Sequence, residues 1–321
     1  MEVSSKKALL VGDLMLDHYT FGEVKRISPE APVPIVTVKQ EEVRPGGAGN
    51  VLLGLKALGI GVVALSRVGS DQAGEALVEA LRDQGIESSA IVIDQSYKTP
   101  RKNRLIVQQQ QLLRVDYEQV TPLGKKVQNE IIDRLPMLLS QADVVAISDY
   151  AKGFLTLPLL RSLITLANER EIPVIVDPKG RDFGKYKGVT LLKPNFAEAI
   201  DAAGLSMKAT LDEIATKIRK LSGCENLLIT RSEKGVSLFT GEVRQDFPAS
   251  VREVKDVTGA GDTVLAVMTA ALGAGLSFAE GARLANIAGG LAVEHVGCVP
   301  ITMKEILQAS LHAVLNERDL H

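Results

Sequence analysis

The segment DVTGAGDTVLAVMTAAL, residues 256–272, carries the sharpest chemistry in the chain. Gly259, Ala260 and Gly261 have almost no side-chain bulk, and the apolar run behind them reads as a helix. Their N–H groups would then stand exposed at a helix N-terminus, where an anion can be cradled. An aspartate inside that cradle, Asp262, would repel a phosphate, but it makes sense as a proton acceptor. In phosphoryl transfer an enzyme must position a hydroxyl, neutralise charge on the moving group and collect the hydroxyl proton late, and a carboxylate beside backbone donors can do this. The competing account is a capped helix, with Thr258 or Asp256 as N-cap and the glycines forming a tight turn.

Three other segments could serve the same chemistry. RPGGAGNVLLGLKALG (44–59) again runs from glycines into an apolar helix; Gly46 and Gly47 would let a ligand approach the backbone, and Asn50 offers a donor and an acceptor to sugar hydroxyls. It is no dinucleotide fingerprint, because the frame starting at Gly47 has Leu52 where glycine is needed, and no Walker A string occurs anywhere. In LLKPNFAEA (191–199), Asn195 and Glu198 stand three apart, a spacing that could hold Mg²⁺ through its waters or could simply be a capping box. VGDLMLD (11–17) puts Asp13 and Asp17 just past a strand end, where open α/β sheets bind ligands and where carboxylates suit polyol hydroxyls. Arg26, Arg44, Lys102, Arg104, Lys152, Lys179 and Arg181 lie near these motifs and are candidates for a substrate phosphate, two or three of them being expected to serve.

The elements that must position these residues follow from short Val/Ile/Leu runs alternating with stretches of helical spacing, the βαβ signature of a mostly parallel sheet. Strands are predicted at about 7–12, 62–68, 143–148, 173–177, 189–193 and 226–230, and helices near 48–58, 72–84, 124–140, 156–170, 196–203 and 210–222. After residue 250 the pattern turns helical, at 260–274, 277–295 and 302–317. Two regions, 32–43 and 99–118, alternate apolar and polar residues without a helix of their own. They are predicted to form a small β lid on a doubly wound α/β domain spanning 1–321, one face over a ligand and the other toward a partner subunit in a homodimer. Extra edge strands of the main sheet are the alternative.

Composition sets the outer limits. With 37 Lys+Arg against 39 Asp+Glu the net charge is −2, so no global positive field exists to hold nucleic acid or an anionic membrane, and an anionic ligand must be gripped locally. Two cysteines, Cys224 and Cys298, cannot build a disulfide framework or a zinc site and fit a reducing cytoplasm. No apolar run reaches the roughly 18 residues of a membrane span. None of the four histidines is paired at ligand spacing, and histidine-centred catalysis is not expected.

Gly46-Gly47 with Asn50, Asn195-x-x-Glu198 and DVTGAGD (256–262) together resemble the ribokinase-like (PfkB) sugar kinase family in order and spacing. That resemblance implies Asp262 as catalytic base, residues 259–261 as anion hole, and Asn195, Phe196, Ala197, Glu198 and Thr258 around ATP, with Asn195 and Glu198 holding Mg²⁺ through water. It also implies Thr230, Ser232 and Gly235 of ITRSEKG (229–235) and Asn286 of LANIAGGLA (284–292) beside the adenine and ribose. Asp13, Asp17, Gly46, Gly47, Asn50, Arg104 and Lys179 would face the sugar phosphate. VGDLMLDHYTFG (11–22), RISPEAPVPIV (26–36), RPGGAGNV (44–51), QQQLLRVD (109–116), SDYAKGFL (148–155) and TLLKPNFAE (190–198) look like the heptose-7-phosphate kinase branch, over roughly residues 7 to 300. The branch phosphorylates the anomeric hydroxyl of D-glycero-D-manno-heptose 7-phosphate with ATP on the way to ADP-heptose for lipopolysaccharide. Its bifunctional relatives carry a nucleotidyltransferase domain, whose H-x-G-H motif is absent up to His321. Another sugar kinase of the family, or a catalytically silent sugar-binding regulatory protein, remain the alternatives; retention of Asp262 argues against the latter.

Overall fold

The computed structural model describes residues 5–108, 110–249 and 253–318. Gln109, within the second lid segment, and His321 lie outside them. The chain begins with β1 (Lys7–Gly12), continues almost without break into β2 (Leu14–Ile27), and returns as β3 (Pro34–Gly47) directly into α1 (Ala48–Ala57). β4 (Gly61–Leu65) and β5 (Arg67–Gly69) precede α2 (Gln72–Asp83), and β6 (Val92–Asp94) pairs with β5. β7 (Arg101–Val107) and β8 (Gln110–Tyr117) form a hairpin. There follow α3 (Lys125–Leu139), β9 (Val144–Ser148), α4 (Leu157–Asn168), β10 (Val174–Asp177), β11 (Leu191–Leu192), α5 (Phe196–Ala203) and α6 (Leu211–Ser222). The last elements are β12 (Asn226–Thr230), β13 (Val236–Thr240), β14 (Val243–Phe247), α7 (Ala260–Gly273), α8 (Phe278–Val293) and α9 (Met303–Arg318).

The main sheet has eight strands in the order β14-β13-β12-β11-β10-β9-β1-β4. From β12 to β4 the pairing is parallel, and the two edge strands β13 and β14 are antiparallel. Strands such as VVAIS and VIVD are apolar along their whole length because helices cover both faces. One face packs under α1, α2, α7 and α8, including Leu52, Leu55, Leu265 and Met268; the other packs under α3–α6, including Ile131, Leu163 and Ile218. α7 is buried almost all round, and a Cβ on Gly54 of α1 would lie 3.0 Å from Ala266, so the two helices that carry Asn50 and Asp262 cross closely.

The smaller sheet is β3-β2-β7-β8, with β2 antiparallel to β3, parallel to β7, and β7 antiparallel to β8. Asp13 lies just past β1 as expected, whereas Asp17 belongs to β2, an element of the lid absent from the sequence reading. The predicted strand 62–68 is split at Ser66, whose hydroxyl turns to donate to the Gly12 carbonyl at 2.6 Å. β13 and β14 were also unforeseen: VSLFT and VRQDF flank the turn at Gly241, whose φ of +54° is easy for glycine.

Candidate active site

The site gathers at the carboxyl ends of the parallel strands, below the lid. Gly259 caps α7 with φ +79°, and a Cβ there would come within 2.7 Å of Cys298 Sγ, so both backbone and packing demand glycine. The Gly259 carbonyl accepts the Thr263 N–H at 2.9 Å, while the Ala260 N–H closes a turn onto Val257. The first-turn amides of Gly261 and Asp262 have no acceptor within the helix. They lie beside Lys193: a Cβ on Gly261 would be 3.6 Å from its Nζ and 3.9 Å from Asp177 Oδ2. Lys193 is only 2% exposed and pairs with Asp177 at 2.9 Å, so a buried, carboxylate-paired ammonium stands beside a helix N-terminus.

Asp262 is buried, and both its oxygens are engaged: Asn50 Nδ2 donates to Oδ2 at 3.0 Å and the Tyr150 hydroxyl donates to Oδ1 at 2.7 Å. Burial raises its pKa, while the Tyr150 and Asn50 hydrogen bonds and the Lys193 charge pull it back and the nearby Asp17 pushes it up. Burial likewise lifts Asp177, to about 7, against the opposing pull of Lys193 and with the help of Asp262. The arrangement is that of a carboxylate able to take one proton beside donors able to hold an anion.

On the lid side, Arg104 Nη1 donates to Asp17 Oδ1 at 2.7 Å, and the Arg44 and Arg104 guanidiniums each lie 5.1 Å from the Tyr19 ring centre. The register sets Asp17 opposite Arg44 and Lys102, and Tyr19 opposite Arg104, on one face. Gly46 is required because a Cβ would lie 2.5 Å from Asp17 Oδ2, and Gly47, at φ +59°, because one would lie 2.8 Å from the Asp13 carbonyl. What approaches these glycines closely is therefore β2 itself. Asp13 is turned toward the loop after β9, accepting the N–H groups of Tyr150, Lys152 and Phe154 at 3.0, 3.1 and 3.3 Å.

Toward the other end, Asn195 and Glu198 form the capping box of α5: Asn195 Oδ1 accepts the Glu198 N–H at 2.9 Å and Glu198 Oε2 accepts the Asn195 N–H at 3.1 Å. Lys179 donates to Glu198 Oε1 at 2.9 Å while Arg104 sits on Asp17, contrary to the expectation that both face the sugar phosphate. Phe196, half-buried against the core, and the exposed Ala197 form the first turn beside them. Asn195 bridges to Thr230; Ser232 and Gly235 shape the next turn, where a Cβ on Gly235 would meet the Phe247 carbonyl; and Asn286 Nδ2 donates to the Pro248 carbonyl at 2.8 Å. Thr258, exposed, donates its N–H and hydroxyl to Asp256. Among the described residues no three His, Cys, Asp or Glu side chains form a metal cage. A Mg²⁺ here would rest on the partly exposed Glu198 carboxylate and its own waters, which suits that ion. Tyr150, Asp177, Lys193 and Cys298 were missed. The first three stand at strand carboxyl ends, and the rule that picked Asp13 could have found them.

The family described as pfkB family carbohydrate kinase matches residues 5–305. Among curated proteins, the chain is 47% identical to "Bifunctional protein HldE" of Trichlorobacter lovleyi over 95% of its own length and 63% of that protein's. It is also 47% identical to the protein of the same name from Geobacter sulfurreducens, over 94% and 62%. The chain thus spans somewhat under two thirds of these relatives. Among solved structures, phosphofructokinase-2 from Escherichia coli in complex with potassium superposes with TM-score 0.79 at 21% identity, covering 96% of this chain and 98% of that one. Arabidopsis thaliana ribokinase complexed with ribose and ATP gives 0.71 at 21%, covering 95% and 98%.

The half-buried Asp177 makes a measurable demand on stability. Its carboxyl titrates at about 7 when folded and near 3.8 when unfolded, so between those values the folded chain holds a proton that the unfolded chain has released. Its contribution to stability is full below the lower value and declines as pH rises through the upper one. Asp177→Asn abolishes that titration. In urea denaturation at about pH 5 and about pH 8, the wild type should lose more stability across the step than the variant, whatever constant cost the unpaired Lys193 adds. Equal losses would contradict the assignment.

Proposed function

The chain belongs to the pfkB family of carbohydrate kinases, which use ATP to phosphorylate sugars, and we propose that its acceptor is the anomeric hydroxyl of D-glycero-β-D-manno-heptose 7-phosphate, giving the 1,7-bisphosphate for ADP-heptose and lipopolysaccharide synthesis. The observation that carries the kinase chemistry is the buried Asp262 carboxylate at the N-terminus of α7, beside free first-turn amides and the buried Lys193. The heptose motifs from Val11 to Glu198 and the likeness to the HldE proteins support the substrate. The Arg44–Tyr19–Arg104 cluster on the inner lid face supports a phosphorylated sugar, because guanidiniums suit phosphate oxygens.

In this reading Asp262 takes the hydroxyl proton as the sugar oxygen bonds to the γ-phosphorus and the bond from that phosphorus to the ADP oxygen breaks. The amides of Gly261 and Asp262 with Lys193 Nζ balance the charge on the phosphoryl oxygens. Asp17 and Asn50 orient the sugar, while Asn195, Thr230, Ser232, Gly235, Thr258 and Asn286 border the nucleotide. Lys179 serves the nucleotide phosphates rather than the sugar phosphate, since it sits on Glu198. Mg²⁺, held by Glu198 and Asn195 through water, would neutralise phosphate charge. Two free thiols and the use of ATP fit work in the cytoplasm; no helix among the described residues is long and apolar enough to cross a membrane. A homodimer through the lid is supported by its outer face: the register puts Val43, Leu113 and Val115, 42%, 55% and 39% exposed, on the side away from Asp17 and Tyr19.

ADP release with ATP and Mg²⁺ should be fastest with heptose 7-phosphate in a panel that includes free heptose, ribose, fructose and fructose 6-phosphate. Asp262→Asn should cut turnover by about a hundredfold or more with sugar binding retained. Turnover confined to another sugar would keep the mechanism and discard the substrate, and sugar binding without turnover would favour a regulatory protein. Glu198→Gln should raise the Mg²⁺ concentration needed for half-maximal rate, and an unchanged titration would remove Glu198 from the ion. Light scattering at working concentration should give twice the chain mass; a monomer would refute the lid dimer.

A further inference from the structure

Ser148 ends β9, and the six residues that follow, 149–154, form a loop gripped from every side. Asp13, 2% exposed, gathers three of its N–H groups. Asp149, 5% exposed, accepts the Ala151 N–H at 2.7 Å, Lys185 Nζ at 2.7 Å and the Tyr186 hydroxyl at 2.6 Å. Arg67, 2% exposed and stacked 3.8 Å from the Tyr97 ring centre, donates to the Lys152 carbonyl at 3.2 Å and to that of Thr121. Gly153, at φ +93°, packs where a Cβ would lie 2.3 Å from the Thr121 carbonyl. Ala151 is held at φ +55°, a conformation costly for a residue with a Cβ.

Three buried charges for one short loop is a large desolvation cost, and such arrangements persist where a geometry must be held. Lys152 turns away to Glu118 at 2.5 Å and Phe154 enters the core, whereas Tyr150 reaches Asp262. We infer that Tyr150 is a positioning residue for the transfer step, its hydroxyl fixing the Asp262 carboxylate so that Oδ2 faces the acceptor hydroxyl, and that the buried charges around 149–154 exist to aim it. The inference rests on the kinase reading. Asn50, on Oδ2, is the partner that can yield to the incoming hydroxyl; Tyr150, on Oδ1, stays throughout. Burial and the neighbouring Asp262 push the Tyr150 hydroxyl well above its ordinary pKa, so it remains a donor at every working pH.

The groups facing Asp262 are Asn50 from α1, Asp17 from β2, Tyr150 after β9, Asp177 at the end of β10, Lys193 after β11 and Cys298 after α8. Tyr150→Phe removes a hydrogen bond from this set without changing its charge. The variant should lose roughly ten- to hundredfold in kcat with KM for sugar and ATP nearly unchanged. The acidic limb of its kcat–pH profile should move to higher pH, because the lost bond had favoured the ionised Asp262. Tyr150→Phe added to Asp262→Asn should cost nothing further, since a residue acting through Asp262 has nothing left to act on. A wild-type kcat and acid limb in Tyr150→Phe, or a raised KM with kcat intact, overturns the inference, as does a full multiplicative loss in the double variant. Absence of turnover in the wild type overturns the kinase reading itself and this inference with it.

Discussion

A carboxylate hidden from water at the tip of a helix whose dipole draws anions stays ionised only where its neighbours favour the charged form. Everything around Asp262 answers that constraint. Burial alone would neutralise it; two hydrogen bonds and one buried ammonium hold it back from that. Those three supports come from α1, from the loop after β9 and from the residue after β11, so the sheet has to bring three distant stretches together with sub-ångström tolerance. The close crossing of α1 and α7, made possible by Gly54 against Ala266, sets the first of these distances. The parallel core strands set the other two.

Lys193 carries a double duty that its burial makes visible. It balances Asp177, and its remaining donors border the turn where Gly261 has no side chain. A Cβ there would make only ordinary contact with the ammonium, at 3.6 Å, whereas a longer side chain would stand between the helix tip and Lys193. The small residues in TGAG thus follow from two separate needs: Gly259 must turn and must make room for Cys298, whereas Gly261 must leave the amides open to whatever sits above Lys193.

Much of this was legible in the sequence, because the information was local. VVAIS, the apolar end of IPVIVD, and NLLIT became β9, β10 and β12, since a fully covered strand needs no polar alternation. The glycine turn into α7 could be read from residue size alone. The rest depended on partners far away in the chain: Tyr150 meets Asp262 across 112 positions and Asn50 across 212. Lys179 and Lys193 stand at similar strand ends, and nothing in their neighbours tells which one goes under the helix and which onto Glu198. The capping box at Asn195 is the alternative to ion binding that the sequence offers, and it occupies Glu198 Oε2 while Lys179 takes Oε1. The β2 strand was overlooked because Asp13 interrupts its apolar run, though the interruption lasts one residue.

That single residue gives the lid its mechanics. β2 continues β1 through Asp13, β3 continues into α1 through Gly47, and the Ala48 N–H donates to the Asp13 carbonyl at 3.0 Å where the two paths cross. The small sheet has no slack tether on this side; it is a lever with its fulcrum at that crossing. Its long arm is the fourteen-residue hairpin strands, and its short arm is the first turn of α1, which carries Asn50. The small sheet and the side-chain amide that rests on Asp262 are thus joined by continuous backbone, with no loop between them to absorb a displacement.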